Sequence, residues 1–215
     1  MNKFLFLDCD STLCAIEGVD ELAALRGPEV EQKVIELTNQ AMDGTIPIDE
    51  VFGRRLDLIQ PTQSMCEEVG TMYIERLSPH AENVISELTS QGWKAIIISG
   101  GFTQVIEPVA KKLGIENIFA VDLIFDSTGN YQNFDSQSPT ARNGGKPEII
   151  EAFIKDKTPL QSVMLGDGIS DLETNHVVDL FIGYGGVISR KVVEEQSKSF
   201  IMDFNELPKE IAKHL

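Results

Sequence analysis

Five short apolar runs, at residues 4–7, 94–98, 163–165, 180–182 and 200–202, alternate along this chain with stretches whose apolar residues recur at helical spacing. The helical stretches lie at 81–89, around Lys111, at 147–154 and at 192–196. Runs this short and this uniformly apolar read as strands buried on both faces. Parallel strands need crossover connections, and the helices that supply them cover the sheet on both sides. The expected fold is therefore α/β, a Rossmann-like doubly wound parallel sheet. A chain of 215 residues buries roughly 70% of the surface its unfolded form exposes, so it needs no staples.

Two stretches break the alternation. Residues 19–77 carry no strand signal, while Val30, Val34, Leu37 and Ala41 recur at helical spacing. The chain thus divides into a discontinuous core, residues 1–15 and 78–215, and a helical domain at 16–77 inserted after the first strand. Residues 118–134 read as a β-hairpin with its turn at 127–130. Pro108, inside TQVIEPVAKKL, implies a helix that either starts after it or bends there.

Three of the strands run into polar corners: Leu7 into Asp8, Ile98 into Ser99-Gly100-Gly101, and Leu165 into Gly166-Asp167-Gly168. In a doubly wound sheet the carboxyl ends of the strands line the ligand crevice, so the corners should converge. Asp171 follows Asp167 by one helical turn. Asp8 and Asp10, two apart on a continuing strand, would share a face, with Cys9 on the other side. At ~4 Å and an effective dielectric near 20, their repulsion is on the order of 4 kcal/mol. Alone, each corner reads more readily as a turn or a helix cap. Together, Asp8, Asp10, Asp167 and Asp171 call for a hard divalent cation with oxygen ligands, which suits Mg²⁺. Lys146 in NGGKPE is a second candidate cation, although its local sequence favours a solvated lysine. With both cations and one proton the cluster is neutral, and a phosphate could enter, held by Ser99 and the backbone amides that follow.

Arg55 sits in the middle of an apolar arc formed by Ile48, Val51, Phe52 and Ile59 on a helical wheel. A guanidinium in that position needs an anion. An internal pair with Glu17 or Asp20 satisfies it; so does an anionic ligand. His80, His176 and His214 have no metal-ligand spacing, and Gly183, Gly185 and Gly186 do not form a GxGxxG loop.

Lys plus Arg number 18 against 34 Asp plus Glu, a net charge of −16 that repels nucleic acid and anionic lipid. No apolar run approaches the ~20 residues of a membrane helix. Three cysteines without a CxxC indicate a reducing compartment. The residues before Asp8 are too few for a signal h-region. The expected partner is a small molecule and the expected location the cytoplasm, with no nucleic acid and no membrane.

DCDST at 8–12, SGG at 99–101, Lys146 and GDGISD at 166–171 resemble, in order, the motifs of the haloacid dehalogenase-like superfamily of phosphotransferases. GVDELA (18–23), RRLDLIQP (54–61), SGGF, GGK (144–146) and FIGYGG (181–186) extend the resemblance along nearly the whole chain to one family within it, the phosphoserine phosphatases. The resemblance implies Mg²⁺-dependent hydrolysis of O-phosphoserine to serine and phosphate, the last step of serine biosynthesis. It implies Asp8 as nucleophile, forming an aspartyl phosphate, and Asp10 as acid and then base. Asp8, the Asp10 backbone carbonyl and Asp167 would hold Mg²⁺, with Asp171 and Ser170 in support. Ser99, Gly100 and Lys146 would bind the phosphoryl group, Arg55 the substrate carboxylate and Glu17 its ammonium, with Met42 also on the substrate. The inserted helices would be a cap over the site, and a homodimer is implied as well. Ile48 stands where relatives often carry phenylalanine, and Ser170 occupies a variable position. Two rivals use the same acidic cluster: transfer of phosphate to an alcohol such as homoserine, and a non-enzymatic phospho-accepting switch.

Overall fold

The computed structural model describes residues 2–42 and 48–215, without the side chains of residues 41, 42, 48 and 49. Six strands form one parallel sheet: β1 (Lys3–Leu7), β2 (Trp93–Phe102), β3 (Asn117–Val121), β6 (Gln161–Gly166), β7 (Leu180–Tyr184) and β8 (Ser199–Ile201), in the order β3-β2-β1-β6-β7-β8. The chain winds from β1 outward to β3, then crosses back past β1 and winds outward the other way through β8. The reversal lies at β1 and β6, whose carboxyl ends are the switch point where such sheets bind ligands.

Alternation along β1 explains why both faces are covered. Phe4 and Phe6 point to one side and join Ile96, Ile98, Met164 and Phe181 beneath Ile149 and Ile150 of α7 (Gly145–Ile154) and Val193 of α9 (Lys191–Gln196). Phe153 of α7 meets the Phe4 ring edge-on at 5.3 Å. Leu5 and Leu7 point the other way, into a larger core with Ile97, Val163, Leu165 and Ile182. Helices α5 (Ala81–Ser90), α6 (Thr103–Leu113) and α10 (Leu207–His214) contribute Ile85, Val105, Val109 and Ile211 to that core.

Between β1 and α5 lie α1 (Gly18–Arg26), α2 (Pro28–Met42), α3 (Ile48–Ile59) and α4 (Gln63–Glu75). Leu22, Val34, Leu56, Ile59, Val69 and Tyr73 are buried there, continuous with the larger core. The two ends of this helical stretch are tied together: the Ala15 amide donates to the Arg76 carbonyl and the Ser78 amide to the Leu13 carbonyl, both at 2.8 Å. No helix among the described residues is long and apolar enough to cross a membrane.

Two local readings change, and an open choice at Pro108 is settled. Residues 117–121 form β3, an edge strand of the main sheet, so the hairpin is confined to β4 (Leu123–Phe125) and β5 (Tyr131–Phe134). The apolar run Ile118–Val121 suits either partner, and only the free edge of β2 decides between them. β2 runs on to Phe102, carrying Ser99-Gly100-Gly101 within an irregularity of its pairing with β3. Pro108 lies inside α6, which begins at Thr103 and therefore does not start late. The ring gives up one main-chain hydrogen bond and packs against Gly70 of α4, where a Cβ would come within 2.8 Å of it. The remaining α-helix, α8 (Ile169–Leu172), follows β6 and belongs to the site.

Candidate active site

Leu7 at the end of β1 is in register with Ile97 of β2 and with Leu165 of β6, which brings the polar corners that follow these residues to one edge of the sheet. The Asp8 amide still donates to the Leu165 carbonyl at 3.0 Å, and there β1 stops. The amides of Thr12 and Cys14 both turn back to the Cys9 carbonyl, and Ser11 adopts a φ of 53°. Asp8 and Asp10 therefore do not share one continuing strand, as their spacing suggested. The turn aims their carboxyls at different partners and leaves Cys9 as a fully buried free thiol.

Asp8 faces Lys146, whose Nζ lies 2.7 Å from Asp8 Oδ1 and 2.6 Å from Asp171 Oδ1. The lysine is 5% exposed, not solvated as its local sequence suggested. The first turn of α7 is pressed against residues 139–141: a Cβ on Gly145 would collide with the Pro139 carbonyl, so only glycine permits the approach that turns Lys146 inward. Burial works to lower the Lys146 pKa, but Asp171 and then Asp8 outweigh it and hold it above the ordinary lysine value.

Asp171, on α8, is fully buried, and its Oδ2 accepts the Gly168 amide at 2.9 Å. Burial, then Asp8, pushes its pKa up to about 7. Asp167 accepts from Thr12 Oγ1 at 3.3 Å and from Arg190 Nε at 3.1 Å; burial, then Asp8, pushes it up to about 6. Asp10 Oδ1 accepts the Gly18 amide at 2.9 Å and the Tyr73 hydroxyl, while Ser99 Oγ lies 3.4 Å from Oδ2. Burial raises Asp10 to about 6 against the pull of the Tyr73 and Gly18 donors. Glu17 accepts from the Ser11 hydroxyl and is raised to about 8, by burial first and Asp10 second.

So many carboxyls raised together form a site short of positive charge. Asp8, Asp167 and Asp171 each bring an oxygen within 4.8 Å of the others, and an all-carboxylate set of that kind suits a hard divalent cation. The Asp10 carboxylate is outside this trio, being turned toward Gly18 and Tyr73.

A cavity of about 360 Å³ opens over these groups. Asp8, Asp10, Glu17, Arg55, Ser99, Gly100, Lys146, Asp167, Ser170 and Asp171 all line it, so the sequence-expected residues come together there. The Met42 and Ile48 side chains lie outside the described residues. On α3, Val51, Leu56 and Ile59 are buried, and Arg54 points outward to pair with Glu50 at 2.8 Å. Arg55 points into the cavity, and its Nε is buried with no hydrogen-bond partner. Burial lowers its pKa while Asp20, Glu17 and Asp10 raise it, so the internal acids act on Arg55 without satisfying that nitrogen.

Several contributors are not among the residues expected at the site from the sequence. Val19, Phe52 and Phe102 form an apolar wall of the cavity. Arg190 comes from the loop after β7, which a strict use of the strand-end rule would have included. Tyr73 reaches Asp10 from a helix 63 residues away, with no local signal.

Residues 3–178 match the haloacid dehalogenase-like hydrolase family. The chain is 39% identical over 203 residues to phosphoserine phosphatase of Mus musculus, covering 93% of this chain and 89% of that protein. It is 40% identical over 204 residues to the chloroplastic phosphoserine phosphatase of Arabidopsis thaliana, covering 93% of this chain and 68% of that one. Among solved structures, a substrate-bound phosphoserine phosphatase complex superposes with a TM-score of 0.83 at 25% identity, over 98% of both chains.

Proposed function

The chain belongs to the haloacid dehalogenase-like hydrolases and, within them, to the phosphoserine phosphatases, and on that premise we propose how its own residues remove phosphate from O-phospho-L-serine. It is a phosphomonoester hydrolase. Asp8 is the nucleophile: a carboxylate oxygen bonds to phosphorus as the bond from phosphorus to the serine oxygen breaks. The serine oxygen leaves with that electron pair and takes the proton of Asp10. A water oxygen then bonds to phosphorus, its proton passes to Asp10, and the bond to Asp8 breaks to return the carboxylate and inorganic phosphate. Lys146, Ser99 and the amide of Gly100 bind the phosphoryl oxygens and stabilise the charge that builds on them.

Mg²⁺ fits the donor set, with Asp8, Asp167 and the Asp10 backbone carbonyl as ligands and Asp171 and Ser170 in support. When bound, it supplies positive charge at the transferring phosphoryl group. Arg55 binds the substrate carboxylate and Glu17 its ammonium, with Met42 beside them, and residues 16–77 act as a cap that excludes bulk water from the reaction. The three free, buried cysteines suit a reducing compartment such as the cytoplasm.

What supports the amino-acid substrate most is Arg55, a buried guanidinium with an unpartnered Nε facing the same cavity as Asp8 and Lys146. A general phosphatase has no use for it. A panel of phosphomonoesters, each with and without Mg²⁺, tests the reading: O-phospho-L-serine should exceed p-nitrophenyl phosphate in kcat/KM, and equal values would remove the substrate assignment. Labelled phosphate should pass to water and not to added homoserine.

A further inference from the structure

Asp10 has two carboxyl oxygens, and only one of them can deliver a proton to the leaving group. Oδ1 is already engaged, by the Gly18 amide at 2.9 Å and by the Tyr73 hydroxyl. Oδ2 lies 3.4 Å from Ser99 Oγ and against Gly101, both of which line the cavity.

Tyr73 is fully buried on α4, and its hydroxyl donates to Asp10 Oδ1. Its ring belongs to the larger core, and its backbone carbonyl lies 3.5 Å from Cys14 Sγ. A Cβ on Gly18 would collide with the Tyr73 hydroxyl, so α1 opens with a residue that leaves room for it. Two separate helices, α1 and α4, are thus shaped around one oxygen of one carboxyl.

We propose that Tyr73 is a positioning residue for proton transfer: with the Gly18 amide it occupies Asp10 Oδ1, so that Oδ2 faces the serine oxygen and carries the proton to it. The proposal rests on the reading of Asp10 as the acid. Bond changes are those given above: the serine oxygen leaves with the electron pair of its bond to phosphorus and takes the proton from Oδ2.

The leaving group separates this role from a structural one. Serine departs as an alkoxide unless protonated, whereas p-nitrophenolate is stable enough to leave without a proton. Because kcat/KM covers steps only up to release of the alcohol, it does not include hydrolysis of the aspartyl phosphate. Tyr73→Phe, assayed with saturating Mg²⁺, should lose on the order of tenfold or more in kcat/KM for O-phospho-L-serine and stay close to wild type with p-nitrophenyl phosphate. A simple alkyl phosphate should follow O-phosphoserine. That third substrate keeps the test valid if the wild type turns out not to prefer O-phosphoserine, an outcome that would end the substrate assignment alone. Gly18→Ala, which displaces the hydroxyl without removing it, should give the same contrast and carries the test if Tyr73→Phe does not fold. Equal losses on all three substrates, or no loss with the alkyl esters, would overturn the proposal.

Discussion

Lys146 and Asp8, 138 residues apart in sequence, meet at 2.7 Å in a pocket where both are nearly inaccessible to solvent. The same ammonium holds Asp171 at 2.6 Å, so one cation ties the end of β1 to the start of α8. Removing it leaves two buried carboxylates without their partner.

Lys146→Met should therefore fail twice. Breaking a buried pair from one side costs about 3–5 kcal/mol of stability, read by chemical denaturation of the metal-free protein. Loss of the charge on the phosphoryl oxygens should lower kcat/KM by at least about 100-fold. A variant with near wild-type stability would mean that Asp8 and Asp171 find other partners.

Asp8→Asn should abolish turnover while keeping the far-ultraviolet circular dichroism of the wild type. Mass spectrometry after brief exposure to substrate should find a phosphorylated species in the wild type and none in the variant. Retained turnover would end the assignment of Asp8 as nucleophile.

Arg55→Ala should act on substrate recognition and not on the chemistry. Losing one charged contact to the carboxylate raises KM for O-phospho-L-serine roughly 30-fold or more, with p-nitrophenyl phosphate changed only slightly. A matched loss on both substrates would indicate that Arg55 supports the fold alone.

Glu17 predicts a pH dependence with a definite sign. Its carboxyl titrates near 8 in the folded protein, mainly because of burial and then Asp10, against 4.5 for an ordinary glutamate. Between those values the native state keeps a proton that the unfolded chain has released, so stability from this group is present at the acid end and falls as pH rises toward 8. The melting midpoint of the metal-free protein should decline from about pH 5 to about pH 8, and Glu17→Gln should flatten the decline. Binding of the substrate ammonium should expel the proton, so KM should fall as pH rises through this window in the wild type and change less in the variant.

Chelation should stop turnover, and added Mg²⁺ should restore it. Because the ion relieves the crowding of Asp8, Asp167 and Asp171, saturating Mg²⁺ should also raise the melting midpoint, as any ligand of the native state does. Asp167→Asn should remove most of that rise. Undiminished activity after exhaustive chelation would refute the metal assignment.

Much of this architecture is written locally. Short doubly apolar runs separated by helical periodicity specify a parallel sheet covered on both sides, because burial of alternate residues and of a helix stripe follows from spacing alone. The points where those runs stop, at Asp8, Ser99 and Asp167, identify the crevice for the same reason, and the arc around Arg55 is a property of one helix. Pairings that depend on the whole chain are not written this way. Asn117–Val121 joins β2 rather than the hairpin because an open sheet edge is available to it. Lys146 is buried because Gly145 packs on Pro139, and Asp10 is oriented by Tyr73, a residue of a distant helix whose own neighbours in sequence say nothing of a carboxyl. Periodicity and turn chemistry act over a few residues, so the layers, the strand ends and the acidic corners follow from local sequence; partners across tens of residues are selected by the packing of all the layers at once and emerge only in the folded chain.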